Sequence, residues 1–414
     1  MNQGLSKSNP IKHPQRWMFV FGGIIIMMCL GTVYSWSTFR LHIEKIFNAG
    51  ATLSGLPYMT SLAFYAFFMF LIGKYLDRYT PRQVISAGAF LVALGWILSA
   101  YAPNIYILTI TYGVIIGTGV GIAYGVPMTV VARWFPEKKG LAVGLVLIGF
   151  GLSPLITAPL AGNLIEAYGV MKTFLILGIS FGIIIPIASC PLKYPTDADN
   201  KYLETASTGK EDIHDMDTAK MVKSAGFKAL YFNFLIGAMI GLMLVGMTSN
   251  VGVEFMKIPQ KTVALFIPLF AVFNGIGRPI FGWLTDKISS KKAMLISYGL
   301  IIIGAVLILT ANKGNLFLFS ISFSIFWFNL GGWLAIAPNS TMIMFGTKHY
   351  SQNYGVVFTA YGVGAIIGVL ASGMLMDVLQ DYRIIFYFVI TLCSVGILLS
   401  RKIIKADSTE GRSL

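Results

Sequence analysis

One cation in this sequence is placed where water cannot reach it. Arg278 sits in an apolar run, preceded by Phe273, Asn274, Gly275, Ile276 and Gly277 and followed by Pro279. Arginine stays protonated, and a central arginine raises the insertion free energy of a membrane helix by about 2.5–3.5 kcal/mol. Something anionic or strongly dipolar should meet it. All 17 acidic residues fall in loops or at the ends of apolar runs, so no carboxylate is expected in the apolar core. The guanidinium fork matches the carboxylate of a ligand bidentately, and Asn274 shares its helix face one turn earlier. A structural reading stands beside this one. Arg278 is about six residues, roughly 9 Å, from the end of its run, and its stem can carry the head toward lipid headgroups. The flanking Gly275, Gly277 and Pro279 speak instead for packing against protein.

The other polar-capable groups inside apolar runs are aromatic: Tyr34 and Trp36, then Tyr124, then Tyr361. Tyr34 falls in the outer part of its run, where an interfacial anchor is a serious reading. Tyr124 and Tyr361 lie nearer mid-run, where an unpaired hydroxyl is costly, and each divides evenly between packing and a cavity-facing role. His13, His42, His214 and His349 lie in polar segments, so neither a metal cluster nor a histidine relay is expected, and no cofactor is implied. Cys29, Cys190 and Cys393 lie in apolar runs and read as free buried thiols.

The elements that must position these groups follow from composition. The chain has 414 residues, 12% charged and 56% hydrophobic, with mean hydropathy +0.74. Soluble domains run near 25% charged, which excludes a soluble enzyme, a nucleic-acid-binding module and a disordered scaffold. A membrane helix needs about 20 apolar residues. Such stretches lie near 17–39, 55–73, 83–101, 105–132, 140–162, 170–192, 227–250, 262–284, 293–311, 315–345, 352–376 and 384–400. The first reads as an uncleaved helix, since it lacks a small-x-small cleavage site. An all-α, twelve-span membrane protein is expected.

The formal charge of +14 is asymmetric in the way cytoplasmic loops are. With the N-terminus inside and helix-end residues counted with their loops, inside segments hold 23 of the 31 Lys and Arg and outside segments hold 7. The remaining one is Arg278. Both termini are therefore expected in the cytoplasm, in a cell (inner) membrane. The polar stretch 193–226 holds nine charged residues between Lys201 and Lys223. It reads as a flexible cytoplasmic linker between a bundle over 1–192 and a second over 227–414.

The halves carry a repeat. Gly73, Asp77, Arg78 and Arg82 recur as Gly282, Asp286, Lys287 and Lys291, each pair 209 residues apart, in loops expected on the same side. This loop resembles the signature of the major facilitator superfamily, and the twelve-span plan extends the resemblance over the whole chain. The resemblance implies two six-helix bundles that rock around a central cavity. It also implies a gating role for Asp77, Arg78, Arg82, Asp286, Lys287 and Lys291, which would close the cytoplasmic side. Gly113, Gly117, Gly121 and Gly125 form one bare helical face, where a neighbour's backbone can approach. The run Gly117, Gly119, Gly121 superficially suggests a nucleotide loop, but no strand precedes it. No G-x-x-x-x-G-K-[S/T] motif occurs, so a gradient or exchange must supply the energy.

Several segments are similar to the oxalate:formate antiporter family, bacterial relatives of the monocarboxylate porters. They contain Tyr34 with Trp36, Gly119 to Gly125 around Tyr124, Arg133 to Gly140, Asn274 to Pro279, and Asn353 to Gly355. The resemblance implies a carboxylate carrier whose span-8 arginine binds substrate, with Tyr34 and Tyr124 lining the site. Where oxalate carriers are expected to place a second basic residue in span 11, this chain has Tyr361. Aromatic cage positions of span 10 appear as Leu330 and Leu334. One fixed charge fits a monoanion better than a dianion, whose second carboxylate would enter the core unpaired. A small monocarboxylate such as lactate, pyruvate or formate is therefore expected, carried with protons or against a counter-anion by a monomer in the lipid bilayer. The eukaryotic porters carry an aspartate where Asn274 stands, and Asn274 cannot titrate. An oxalate:formate-type dicarboxylate exchanger is one alternative, and an organic-solute or drug porter with a structural Arg278 is another. A membrane enzyme would need an acid, base, metal or nucleophile constellation, and none is visible in the sequence.

Overall fold

A computed structural model describes residues 13–73, 75, 78–135, 139–196, 199, 215–346 and 349–410. Among them every regular element is helical, and twelve helices are long and apolar enough to cross a membrane. They are α1 Arg16–Phe47, α2 Ala51–Ile72, α3 Pro81–Ser99, α4 Ile105–Trp134, α5 Leu141–Tyr168 and α6 Val170–Ser189. The second half supplies α7 Ala225–Gly246, α8 Gln260–Ile288, α9 Ser290–Thr310, α10 Leu316–Phe345, α11 Gln352–Leu379 and α12 Arg383–Ser400. These form the two six-helix bundles of the fold. The end of the molecule where α1 begins is called the near end below, and the end where α1 finishes the far end.

Backbone hydrogen bonding must close within each span, and glycine decides how near two spans come. Along α4, a Cβ on Gly113 would lie 2.7 Å from Thr60 Cβ, on Gly117 2.4 Å from the Ser61 carbonyl, and on Gly121 2.5 Å from the Tyr65 carbonyl. The bare face expected from the spacing is thus the seat of α2. Its fourth member, Gly125, meets nothing within 4 Å. Gly119 points the other way, against Gly88 and Val92 of α3, which disposes of the nucleotide-loop resemblance.

Three expectations are corrected. The first span extends well past residue 39, to Phe47, because its last turns are amphipathic and polar groups satisfy Arg40 in place. Arg278 is accordingly not the one buried cation: Arg16 and Arg40 are 2% and 1% exposed. Arg16 donates to the Trp134 carbonyl at 2.8 Å, and Arg40 pairs with Glu44 at 3.2 Å. Cys190 is exposed, whereas Cys29 and Cys393 are buried as expected; Cys190 follows the last turn of α6 and no longer faces its neighbours.

The end of the 193–226 stretch is built in. A short helix, Thr218–Lys223, is capped by Asp217. Just before it, the Met216 amide donates to the Phe345 carbonyl at 3.0 Å, while Asn353 Nδ2 donates to the Met216 carbonyl at 2.9 Å. Residues 215–223 therefore lie against the ends of α10 and α11, contrary to a wholly flexible linker.

Candidate functional site

Arg278 is held by packing on two sides. A Cβ on Gly277 would lie 2.1 Å from the Phe328 carbonyl of α10, and one on Gly275 2.7 Å from Leu152 Cδ2 of α5. These glycines let α8 press between α10 and α5, which leaves Arg278 only 4% exposed. Its Nη1 donates to the Leu147 carbonyl at 2.6 Å. Its Nη2 makes a long contact of 3.4 Å to Asn274 Oδ1, and Nε has no acceptor among the described residues. The head thus turns into the protein, against α5, and does not snorkel. Asn274, fully buried, is fixed through Nδ2, which donates to the Trp327 carbonyl at 3.1 Å.

The predicted tyrosines gather beside this cation. Tyr34 and Tyr361 share a hydrogen bond of 2.7 Å between their hydroxyls, joining α1 of one half to α11 of the other. Both are fully buried. The anchor reading of Tyr34 is overturned, because the long α1 places this residue in mid-span. It lies within Gly31–Ser35, a 3₁₀ turn inside α1, a local tightening often found at hinges and functional positions. Tyr124, 2% exposed, faces Phe150 edge-on at 5.1 Å between ring centroids. The Arg278 charge acts electrostatically on both the Tyr34 and Tyr124 hydroxyls. Arg278, Asn274, Tyr34, Tyr124 and Tyr361 therefore belong to one buried cluster between the halves.

Sequence reading missed several members of that cluster. Tyr65 of α2 lies 4.9 Å from Tyr124 and 5.7 Å from Tyr361 between centroids. Phe358 stacks on Tyr361 at 4.9 Å with rings 16° apart. Phe150 meets Tyr34 at 5.1 Å. Tyr65 carried a usable signal, since a mid-span hydroxyl needs a partner; Phe150 and Phe358 carried none beyond apolarity. Gly151 carries no signal in the sequence, although a Cβ there would lie 3.1 Å from Arg278 Nε. Leu330 and Leu334 are buried.

The repeated loops are elsewhere, at the near end. Asp77 lies outside the described residues. Arg78 packs over the Tyr75 ring at 5.5 Å, and Arg82 donates to the Cys190 carbonyl at 3.1 Å. Lys287 packs over the Trp283 ring at 4.7 Å. Asp286 is exposed, Lys291 half-buried, and neither pairs across the halves with any described residue. At the far end the halves are bonded. Arg40 donates to Ser54 Oγ at 3.0 Å, the Ala51 carbonyl at 2.7 Å and, across the halves, the Gly246 carbonyl at 3.1 Å. Asn250 Nδ2 donates to Glu44 at 3.1 Å. Asp377 of α11 accepts from the Ala51 and Thr52 amides at 2.8 and 3.0 Å, which caps the N-terminus of α2 with a charge.

Comparison with known proteins agrees with this architecture. The profile of the Major Facilitator Superfamily matches residues 19–352 and 233–413. The oxalate:formate antiporter of Oxalobacter formigenes is 27% identical over 85% of this chain and 83% of its own length. Monocarboxylate transporter 12-B of Danio rerio is 26% identical over 90% of this chain and 83% of its own. Among solved structures, a bacterial homolog of the human lysosomal transporter Spinster, in an inward-facing and unoccupied conformation, superposes with TM-score 0.64. It is 14% identical and covers 95% of this chain and 94% of that one.

Proposed function

The chain belongs to the major facilitator superfamily, a family of transporters and not enzymes, and from that premise we propose that it carries small monocarboxylate anions by alternating access. Arg278 is the anion receptor, and lactate, pyruvate and formate are the substrate types. The observation that carries the reading is a buried guanidinium whose described partners are one main-chain carbonyl, one amide oxygen and the Tyr124 hydroxyl. None is charged, so a carboxylate is the partner that neutralises the cation. The similarity to the oxalate:formate antiporter of Oxalobacter formigenes and to monocarboxylate transporter 12-B of Danio rerio supports this choice of substrate class.

The tyrosines select a monoanion. Their hydroxyls can donate to the second oxygen of a bound carboxylate, while Tyr361 offers no positive charge to a second carboxylate. Desolvating that second charge unpaired is costly. Asn274 gives the substrate an amide to pair with and no proton to relay, so any coupled proton must travel with the anion or through another group. The loops with Arg78, Arg82, Asp286, Lys287 and Lys291 close the near end when the far end opens. The basic-residue count supports a cytoplasmic near end, with both termini on that side of an inner membrane, and the carrier is read as a monomer.

Uptake into proteoliposomes tests the proposal. Labelled lactate, pyruvate, formate and oxalate are compared, with and without an imposed pH gradient or internal counter-anion. Monocarboxylate uptake that exceeds oxalate uptake is the expected result. A proton gradient that drives it indicates symport, and a strict need for internal anion indicates exchange. Uptake of none of the four would refute the carboxylate reading and leave an organic-solute porter with a structural Arg278.

A further inference from the structure

Residues 147–151 of α5 meet Arg278 from the opposite half of the molecule. The Leu147 carbonyl accepts from Nη1 at 2.6 Å. A Cβ on Gly151 would lie 2.6 Å from Asn274 Oδ1, 3.1 Å from Arg278 Nε and 3.3 Å from its Cζ. The first distance is too short for a methyl group and the other two are tight, so the bare Cα at 151 lets the guanidinium and its amide neighbour lie against the α5 main chain without shifting. The same donor cannot serve the Leu147 carbonyl and a carboxylate at full strength. A carboxylate makes the stronger, charge-assisted bond, yet it must first part α5 from the α8 face it now covers.

We propose that Gly151 is a positioning residue that docks Arg278 on the Leu147 carbonyl, so that the α5 main chain competes with a carboxylate for the guanidinium and anion binding separates α5 from α8. The inference rests on the monocarboxylate reading above. It makes binding and the movement of the halves one event: the anion takes over a donor that otherwise bonds across them. It also means that apparent affinity is reduced by the fraction of molecules in the docked arrangement. A methyl at 151 weakens the dock and leaves every donor of Arg278 in place.

Isothermal titration of the purified full chain with formate and with pyruvate tests this, comparing the wild type, Gly151→Ala and Arg278→Ala. Gly151→Ala is expected to lower the dissociation constant by about threefold to tenfold, because more molecules are undocked. A residue with a merely structural role would loosen the site and raise that constant. An unchanged or higher dissociation constant in a folded Gly151→Ala protein overturns the inference. A second measurement does not depend on that variant folding. Spin labels at Leu141→Cys and Ile280→Cys, both exposed positions, are placed in a Cys190→Ser background to report the α5–α8 distance. Saturating formate should lengthen it, and an unchanged distance with formate bound overturns the inference. If the wild type binds neither anion, the monocarboxylate reading itself falls, which separates its failure from that of the dock alone.

Discussion

Arg278 is the residue on which the proposed function turns, and its surroundings make the expected losses concrete. Arg278→Ala should reduce monocarboxylate uptake by about 100-fold or more, since charge-assisted hydrogen bonds contribute about 1.5–3 kcal/mol each. Arg278→Lys keeps the charge and loses the fork, so it should recover only part of that loss. Normal uptake by a correctly inserted Arg278→Ala protein would remove its receptor role. Tyr361→Lys breaks the bond to Tyr34 but sets a second cation in the cluster. Its oxalate-to-formate uptake ratio should rise severalfold, and a ratio that stays flat would dissociate position 361 from substrate charge. Much of this site was legible in the sequence because burying an arginine or a tyrosine hydroxyl has a cost that a composition scan exposes. Phe150 and Phe358 impose no such cost, and Gly151 leaves a trace only where another chain segment presses on it. The exact depth of Tyr34 was hidden for a different reason. A hydropathy window ends at the first charge, and Arg40 is a charge that the fold buries with Glu44, Ser54 and main-chain carbonyls.

At the scale of elements, the α2–α4 contact is the one that glycine spacing announced most directly. Gly117→Leu drives a Cβ toward the Ser61 carbonyl 2.4 Å away, and main chain cannot swing aside as a side chain can. The two helices must part, at an expected cost of about 1–3 kcal/mol. The melting temperature in detergent should fall accordingly. Gly125→Ala occupies open space and should change stability no more than an ordinary surface substitution does, about ±0.5 kcal/mol. Equal effects at the two positions would show that the stripe does not seat α2. The periodicity of four identified the face; it could not say where the neighbouring helix ends its contact, because that depends on how α2 and α4 diverge toward the near end. The 215–223 segment was misread by the same limit. Polar composition argues for solvent exposure, yet Met216 and Asn353 make specific bonds that composition does not encode.

At the scale of the whole molecule, the bonds between halves are distributed unequally. The far end has the Arg40 to Gly246 bond, the Asn250 to Glu44 bond and the Asp377 cap on α2. At the near end, the described charges of the repeated loops contact their own half. On the alternating-access reading proposed above, the far-end bonds are what must break for the molecule to open on that side. Asp377→Asn keeps the shape of the cap and removes its charge, while Arg40→Leu removes the cross-half donor. A Val369→Cys reporter in a Cys190→Ser background suits the measurement, because Val369 is 3% exposed and packs against Gly55 at the far end. Cys29 and Cys393 are buried and leave the reporter readable. The rate at which a membrane-impermeant maleimide labels Val369→Cys should rise by about tenfold in the double variant, the response to a shift of about 1.4 kcal/mol between two states. Each single variant should produce part of that rise. A labelling rate indifferent to both substitutions would mean that the Arg40 and Asp377 bonds do not hold the far end shut, leaving apolar packing between α2 and α11 and the Lys261–Glu166 pair to do so. An increase that a monocarboxylate then reverses would tie the far-end bonds to occupancy at Arg278.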